Sequence, residues 1–406
     1  MHIIAAKRKG VVTMRWRTRL VMFTLPAAVL CSLLACQHPS AAEPGNTAAA
    51  APGASDIYFP PPGGAWKTVS PREAGWDPAK LEAALNFAGE RKSSGVVVLH
   101  KGRILAERYW DLNPAKTTPG GRPNRYYYMR RGADGQGHVI EDVASVQKSV
   151  VSILVGIARQ RGLVRLDDPV TKYLGPGWSK APREAEARIT LRHLITMTSG
   201  LTGNLEFEAP AGARWRYNTR AYALSRKVVC VAAKMDPNTL TREWLTGPVG
   251  MADSKWVPRP GAVVGAPAVN QLGFATTARD LARFGLLIQA GGVWNGRVII
   301  ADREYLHDAL SPSQELNPSY GYLWWLNGQP FVRRGAGTRK FPGWLIPTAP
   351  KDLVAALGAL GRKLYVVPSL GLVVTRLGDA PEVRGEEAFD QGFWKRLMQA
   401  RETAAR

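Results

Sequence analysis

Cysteine is almost missing from this 406-residue chain: there are three, Cys31 and Cys36 near the N-terminus and Cys230 in the apolar run Val228-Val229-Cys230-Val231-Ala232. Past residue 36 no second cysteine remains to pair with Cys230. An intramolecular disulfide is therefore excluded there, and Cys230 reads as a buried structural thiol. Histidine is scarce too, at six residues, and His193 is the sole one in the central section. It stands among Leu191, Leu194 and Ile195, where packing or capping is its expected role. Acids number 32 against 54 Lys plus Arg, a formal charge of +22. Six of those basic residues fall in the first 36 positions, which hold no acid, leaving 48 against 32 in the remainder. No nucleic-acid motif accompanies this excess and the basic residues are scattered. The expectation is an Arg-rich solvated surface suited to an anionic envelope, with no nucleic-acid partner. Internal repeats are absent. The one long apolar run, the 15 residues Leu20 to Leu34, falls short of the roughly 20 that a membrane span needs.

That run belongs to the leader. Lys7, Arg8, Lys9, Arg15, Arg17 and Arg19 precede it, a charged segment followed by an apolar one, as in an export signal. Its end, Leu33-Leu34-Ala35-Cys36, resembles the bacterial lipoprotein cleavage box. That resemblance implies lipidation of Cys36 and a protein held on the periplasmic side of a bacterial envelope membrane; an ordinary signal peptide releasing a periplasmic product is the alternative. Residues 37–65 are rich in Ala, Pro and Gly and cannot bury enough apolar surface to offset their ordering entropy, so they read as a tether. The expected division is a signal at 1–36, the tether at 37–65 and one domain at 66–406.

Within that domain a helix is expected at Pro78 to Gly89. Strands Gly95 to His100 and Arg103 to Trp110 follow, joined at Lys101-Gly102 as a hairpin. Asp167-Asp168-Pro169 suggests either a metal pair or, better, a capped helix start. Thr277 has the character of an N-cap with Asp280 three residues on. Strand-like runs return near the C-terminus at Tyr322 to Leu326, Leu364 to Pro368 and Gly371 to Leu377, before a helix from Phe389 to Arg401. Strands at both ends with helices between them imply an α/β (α+β) fold. In it an antiparallel sheet is built from the N- and C-terminal segments, flanked by helices and interrupted by a large helical insertion.

The chemistry centres on Asp142-Val143-Ala144-Ser145-Val146-Gln147-Lys148-Ser149, expected to open a helix that runs through Val150, Ile153, Leu154 and Ile157 to Gly162. Residues three apart share a helix face, which sets Ser145 beside Lys148. A serine next to an amine base in a helix's first turn, where free N–H groups favour negative charge, is an activated nucleophile. On the motif alone, catalysis and a plain polar helix start stand level.

Further segments follow in order. They are Leu163-Val164-Arg165-Leu166-Asp167-Asp168-Pro169-Val170, His193-Leu194-Ile195-Thr196-Met197-Thr198-Ser199-Gly200-Leu201, Pro248-Val249-Gly250-Met251 and Ala278-Arg279-Asp280-Leu281-Ala282. With Ser145-Val146-Gln147-Lys148 they resemble the serine β-lactamase and penicillin-binding-protein superfamily on its class C side, nearest to family VIII esterases and 6-aminohexanoate-dimer hydrolases. The resemblance implies a β-lactamase/transpeptidase-like fold and a serine hydrolase needing neither metal nor cofactor. Ser145 would be the nucleophile, Lys148 its proton acceptor and Tyr217, in Trp215-Arg216-Tyr217-Asn218-Thr219, the partner base. Asn218 and Thr219 would border the substrate. The family's cationic edge-strand motif aligns on Ala359-Leu360-Gly361, which would line the pocket without a cation. The backbone N–H groups of Ser145 and Arg362 would form the oxyanion hole.

The expected activity is hydrolysis of a small ester, amide or peptide-like substrate through an acyl-enzyme, with neutral esters favoured because no cation stands at 359–361. The alternatives are a β-lactamase or D-Ala-D-Ala carboxypeptidase, or a non-turnover envelope lipoprotein that binds peptidoglycan or a partner. For the leader, mature protein is expected to begin at Cys36 and to enter the detergent phase, and Cys36→Ser is expected to release it or block processing. N-terminal sequencing with detergent partitioning checks this; a free soluble product cut elsewhere contradicts it.

Overall fold

The computed structural model describes residues 56–63, 65–260, 270–335, 337, 339–381, 385 and 388–401. The leader, Cys36 and residues 37–55 and 64 of the expected tether lie outside the described residues; the tether ends earlier than expected, since the Tyr58 N–H donates to the Lys101 carbonyl at 3.0 Å and Arg283 donates to the Pro60 and Pro61 carbonyls. Among the described residues no helix is long and apolar enough to cross a membrane.

Helix α1 (Pro78–Glu90) begins where Asp77 accepts the free N–H groups of Ala79 and Lys80 and proline occupies the first turn. It leads into strands β1 (Ser93–His100) and β2 (Arg103–Tyr109). The β-branched run at Val96, Val97 and Val98 is buried without alternation, as expected of a strand covered on both faces. Strand β1 pairs on its other side with the chain's last strand, Leu372–Gly378, in antiparallel register (Val98 opposite Val374, His100 opposite Leu372). The main sheet is thus closed by segments nearly 300 residues apart in sequence. This is the antiparallel sheet expected from the two chain ends.

The inserted region is not wholly helical. Short helix α2 (Arg125–Met129) is followed by β3 (Arg130–Ala133) and β4 (Val139–Asp142), which join β5 (Lys255–Pro258) and β6 (Leu272–Thr276) in a second sheet of order β3-β4-β6-β5. Asp142 therefore ends a strand and does not open a helix. Its backbone is committed to pairing with Ala275. Helix α3 (Gln147–Gln160) starts only at Gln147 and is buried from there to Ala158, a central helix with no solvated face. Beyond it come α4 (Thr219–Ala233) and α5 (Ala278–Gln289), the latter capped by Thr277, whose hydroxyl accepts from the Asp280 N–H. The main sheet is then completed by β7 (Trp325–Leu326), β8 (Val354–Leu357), β9 (Lys363–Val367) and β10 (Leu372–Gly378), in the order β2-β1-β10-β9-β8-β7. Helix α5 packs on β1, β9 and β10, while the last helix, α6 (Phe389–Ala400), packs on α1.

The two sheets are tied by a buried charge. The Glu141 carboxylate on β4 pairs with the Arg362 guanidinium at 2.9 Å, both side chains fully buried. The same carboxylate accepts from the Ser94 and Tyr126 hydroxyls and from the Gly378 N–H. It joins β1, α2 and the end of β10 beside the turn that carries Ser145.

Candidate active site

Ser145 sits in a single 3₁₀ turn, Ala144–Val146, between β4 and α3. Ala144 lies at φ +51°, in the left-handed region that a residue with a Cβ seldom adopts. Such a residue costs about 1–3 kcal/mol and persists only when its surroundings over-determine it. Here the Asp142 carboxylate does so, accepting from the Ala144 N–H at 2.9 Å. Asp142 is itself gripped by both edges of Arg259, Nε to Oδ2 at 2.6 Å and Nη2 to Oδ1 at 2.8 Å. Arg259 also donates to Gln147 Oε1 at 2.9 Å, and the Phe274 N–H donates to that oxygen at 3.0 Å. Gly273 makes room: a Cβ there would fall 2.0 Å from Asp142 Oδ2. The turn bearing the serine is thus clamped from below by a carboxylate, a guanidinium and an amide.

Lys148 stands one turn on, its Nζ 2.9 Å from Ser145 Oγ. Its side chain is buried at 2% exposure. The amine lies 4.8 Å from the centre of the Tyr217 ring and 4.5 Å from that of Tyr222. No carboxylate pairs with it among the described residues. Burial, with the Arg259 charge adding to it, pushes the Lys148 pKa well below the ordinary lysine value, which favours the uncharged amine. Tyr217 precedes α4, its ring stacked on Trp325 at 5.8 Å and edge-on to Tyr320 at 6.2 Å. Burial raises its phenol above the ordinary tyrosine value. A hydrogen bond with the Ser145 side chain works the other way, and Tyr222 adds to the rise. The phenol keeps its proton at neutral pH.

The facing wall comes from the end of β8. Gly358 is extended, and a Cβ on it would meet the Val143 carbonyl at 2.5 Å, so only glycine lets this strand close on the Ser145 turn. The next residue, Ala359, lines a cleft of about 190 Å³ together with Arg125, Met129, Ala144, Ser145, Gln147, Lys148, Thr219, Arg259 and Asn270. Leu360 and Gly361 then turn through left-handed φ of +61° and +77°, and neither lines that cleft.

A family model described as Beta-lactamase matches residues 78–388. The chain belongs to the beta-lactamase family. An uncharacterized protein of Alkalihalophilus pseudofirmus is 28% identical over 305 residues, covering 70% of this chain and 82% of that one. Esterase EstB of Burkholderia gladioli is 33% identical over 126 residues, covering 30% of this chain and 29% of the esterase. Among solved structures, a beta-lactamase from Mycobacterium bovis superposes with TM-score 0.54 at 18% identity, over 79% of this chain and 100% of that one, a likeness of fold.

Within this family fold, Ser145, Lys148 and Tyr217 come together, and Thr219 and Ala359 line the same cleft. Other residues expected there lie elsewhere. Asn218 is buried at 2% exposure. Its Oδ1 caps α4, and its Nδ2 donates to the Leu201 and Thr202 carbonyls, leaving no group for a substrate. Arg362 is turned from the cleft toward Glu141 and braces the Ala359 carbonyl from behind at 3.3 Å. Gly361 is backed by Arg376, whose Nη1 would lie 2.4 Å from a Cβ, so the close approach expected of Gly361 is made by Gly358. His193 caps its helix by accepting from the Thr190 N–H. Arg259 and Arg125 went unnoticed in the sequence, where nothing local marks them, and Asp142 and Gln147 stood in the serine segment without a role of their own; Gly358, three residues before Gly361, was the one legible sign.

Breaking the clamp should be costly, because Arg259→Gln leaves the buried Asp142 carboxylate with only the distant Arg131, 4.0 Å away, in place of a two-bonded guanidinium. The expected loss is about 3–5 kcal/mol of unfolding free energy, read by urea denaturation. A change within about 0.5 kcal/mol, the range of an ordinary surface substitution, contradicts the clamp.

Proposed function

We propose that this beta-lactamase-family hydrolase cleaves an ester or amide through an acyl-enzyme on Ser145. The observation that carries the reading is a buried Lys148 amine, without a carboxylate partner among the described residues, 2.9 Å from Ser145 Oγ. A lysine can take a proton only when its charge is suppressed, and burial beside Arg259 suppresses it.

In the first half-reaction Ser145 Oγ attacks the substrate carbonyl carbon and its proton passes to Lys148 Nζ. The oxyanion is met by the backbone N–H groups of Ser145 and Ala359. Ala359 takes the place expected of Arg362 because it is the residue of its turn that lines the cleft. Donors so placed contribute about 3–4 kcal/mol each to the tetrahedral intermediate. The Tyr217 phenol, protonated at rest, donates to the leaving alkoxide or amine as the carbonyl re-forms, and recovers a proton from the Lys148 ammonium. In the second half-reaction water attacks the acyl carbon and gives its proton to the Lys148 amine, Ser145 leaves with the Tyr217 proton, and the Lys148 ammonium restores it. Tyr217 thus acts as the acid in both half-reactions. The partial likeness to an esterase supports oxygen esters as a substrate class. We further infer attachment to a bacterial envelope membrane through Cys36, on the strength of the basic leader, its apolar run and the cysteine that ends it.

Ser145→Ala is expected to abolish fluorophosphonate labelling and p-nitrophenyl ester turnover. Lys148→Ala and Tyr217→Phe should each lower kcat/KM by orders of magnitude while the protein stays folded, and their losses should not add, since the three act as one proton-transfer unit. In the native protein, kcat/KM should rise with pH through a group titrating well below the ordinary lysine value, because the base works only when neutral. Retained turnover in Ser145→Ala moves the nucleophile elsewhere, and a native protein that neither labels nor turns over ester is the non-catalytic lipoprotein.

A further inference from the structure

The cleft beside Ser145 is lined by three basic side chains, Arg125, Lys148 and Arg259, and by no carboxylate. Two of the three are accounted for: Lys148 is buried against Ser145 Oγ and the Tyr217 and Tyr222 rings, and Arg259 is matched by Asp142 through two hydrogen bonds. Arg125 has no hydrogen bond or ion pair among the described residues.

Carboxylates near Arg125 are already oversubscribed. Asp142 serves Arg259 and also lies 4.0 Å from Arg131, two of whose guanidinium nitrogens are buried without a hydrogen-bond partner. Glu141 serves Arg362. Four guanidiniums thus share two carboxylates behind the nucleophile. Partial burial, then the charges of Arg362 and Arg259, lower the Arg125 pKa, so an anion seated against the solvent-open guanidinium would relieve that repulsion.

The root of Arg125 is fixed. It opens α2, where the Asn124 side chain accepts from the N–H groups of Tyr126 and Tyr127, and the Tyr126 hydroxyl donates to Glu141 at 2.9 Å. Met129 of the same helix lines the cleft.

We propose that Arg125 is the receptor for a carboxylate on the substrate, and that the natural substrates of the Ser145 site are carboxylate-bearing esters or amides. A planar guanidinium fork matches a carboxylate with two parallel hydrogen bonds, which a lysine cannot reproduce. This assignment rests on the serine-hydrolase reading above. It reverses the expectation drawn from Ala359 and Leu360, since the cation missing from the edge-strand turn stands on another wall.

The test uses two boronic acids that form reversible adducts with a nucleophilic serine, phenylboronic acid and its 3-carboxyphenyl analogue, competing with fluorophosphonate labelling of the purified protein. A parallel arm compares kcat/KM for p-nitrophenyl butyrate and mono-p-nitrophenyl glutarate. In the native protein the carboxylate-bearing member of at least one pair is expected to be favoured about 10- to 150-fold, the worth of one charge-assisted hydrogen bond. The preference should shrink with added salt because Arg125 is exposed. Arg125→Gln is expected to abolish it while leaving the neutral members within about 3-fold, and Arg125→Lys to keep part of it. A native protein that treats charged and neutral members alike in both arms overturns the subsite alone. A preference that survives Arg125→Gln overturns the assignment to Arg125. Failure of every probe to engage Ser145 sinks the serine reading and the subsite together.

Discussion

A lysine amine enclosed by aromatic rings and a serine hydroxyl, with no carboxylate to pair with, is the constraint on which the site depends. An ammonium there would be desolvated and unpaired, which lowers the amine's pKa and favours its uncharged form. That environment has to be built around it. Tyr217 and Tyr222 cover the amine, Trp325 and Tyr320 hold Tyr217, and Trp325 belongs to the strand that pairs with β8. Asp142 is taken up by Arg259 and by the strained Ala144 N–H. The Arg259 charge adds to burial in pressing the Lys148 pKa down. One guanidinium therefore takes part in shaping the serine turn and in lowering the pKa of the base.

The architecture explains why this happens at a junction. The serine turn joins β4 of the smaller sheet to the buried helix α3, while the facing glycine, Gly358, ends β8 of the larger one. Glu141, one residue before Asp142, ties both sheets by taking Arg362, Ser94, Tyr126 and Gly378. Two adjacent acids thus divide the labour, one holding the sheets together and the other holding the turn. The Arg362 side chain is spent on this join, while Ala359, three residues earlier, lines the cleft that holds Ser145.

Much of this was legible where the signal is local. The 3.6-residue spacing after Ser145, the Lys101-Gly102 hairpin, the proline and aspartate at the start of α1 and the Thr277 cap each depend on neighbours in sequence, and the structure has them within a few residues. The smaller sheet was missed because its strands are short and separated by up to a hundred residues and more, with no alternation long enough to read. Asp142 looked like the first turn of a helix, since nothing nearby shows that its partner is Arg259, 117 positions on. The edge-strand assignment slipped to Gly361 and Arg362 for a geometric reason. Two consecutive left-handed residues, Leu360 and Gly361, turn the chain behind the wall, so the residues that face Ser145 come three positions earlier. Arg125 carries no motif at all. Its meaning appears only once the other charges of the cleft have been matched.

The central claim is that Lys148 is an uncharged amine in the folded protein, and NMR of protein labelled with ¹⁵Nζ-lysine, titrated from pH 5 to 11 and compared with Lys148→Met, tests it most directly. The account predicts one lysine signal, absent from the variant, that titrates well below the bulk of the lysines at about 10.4. A Lys148 signal that titrates together with that bulk would contradict it.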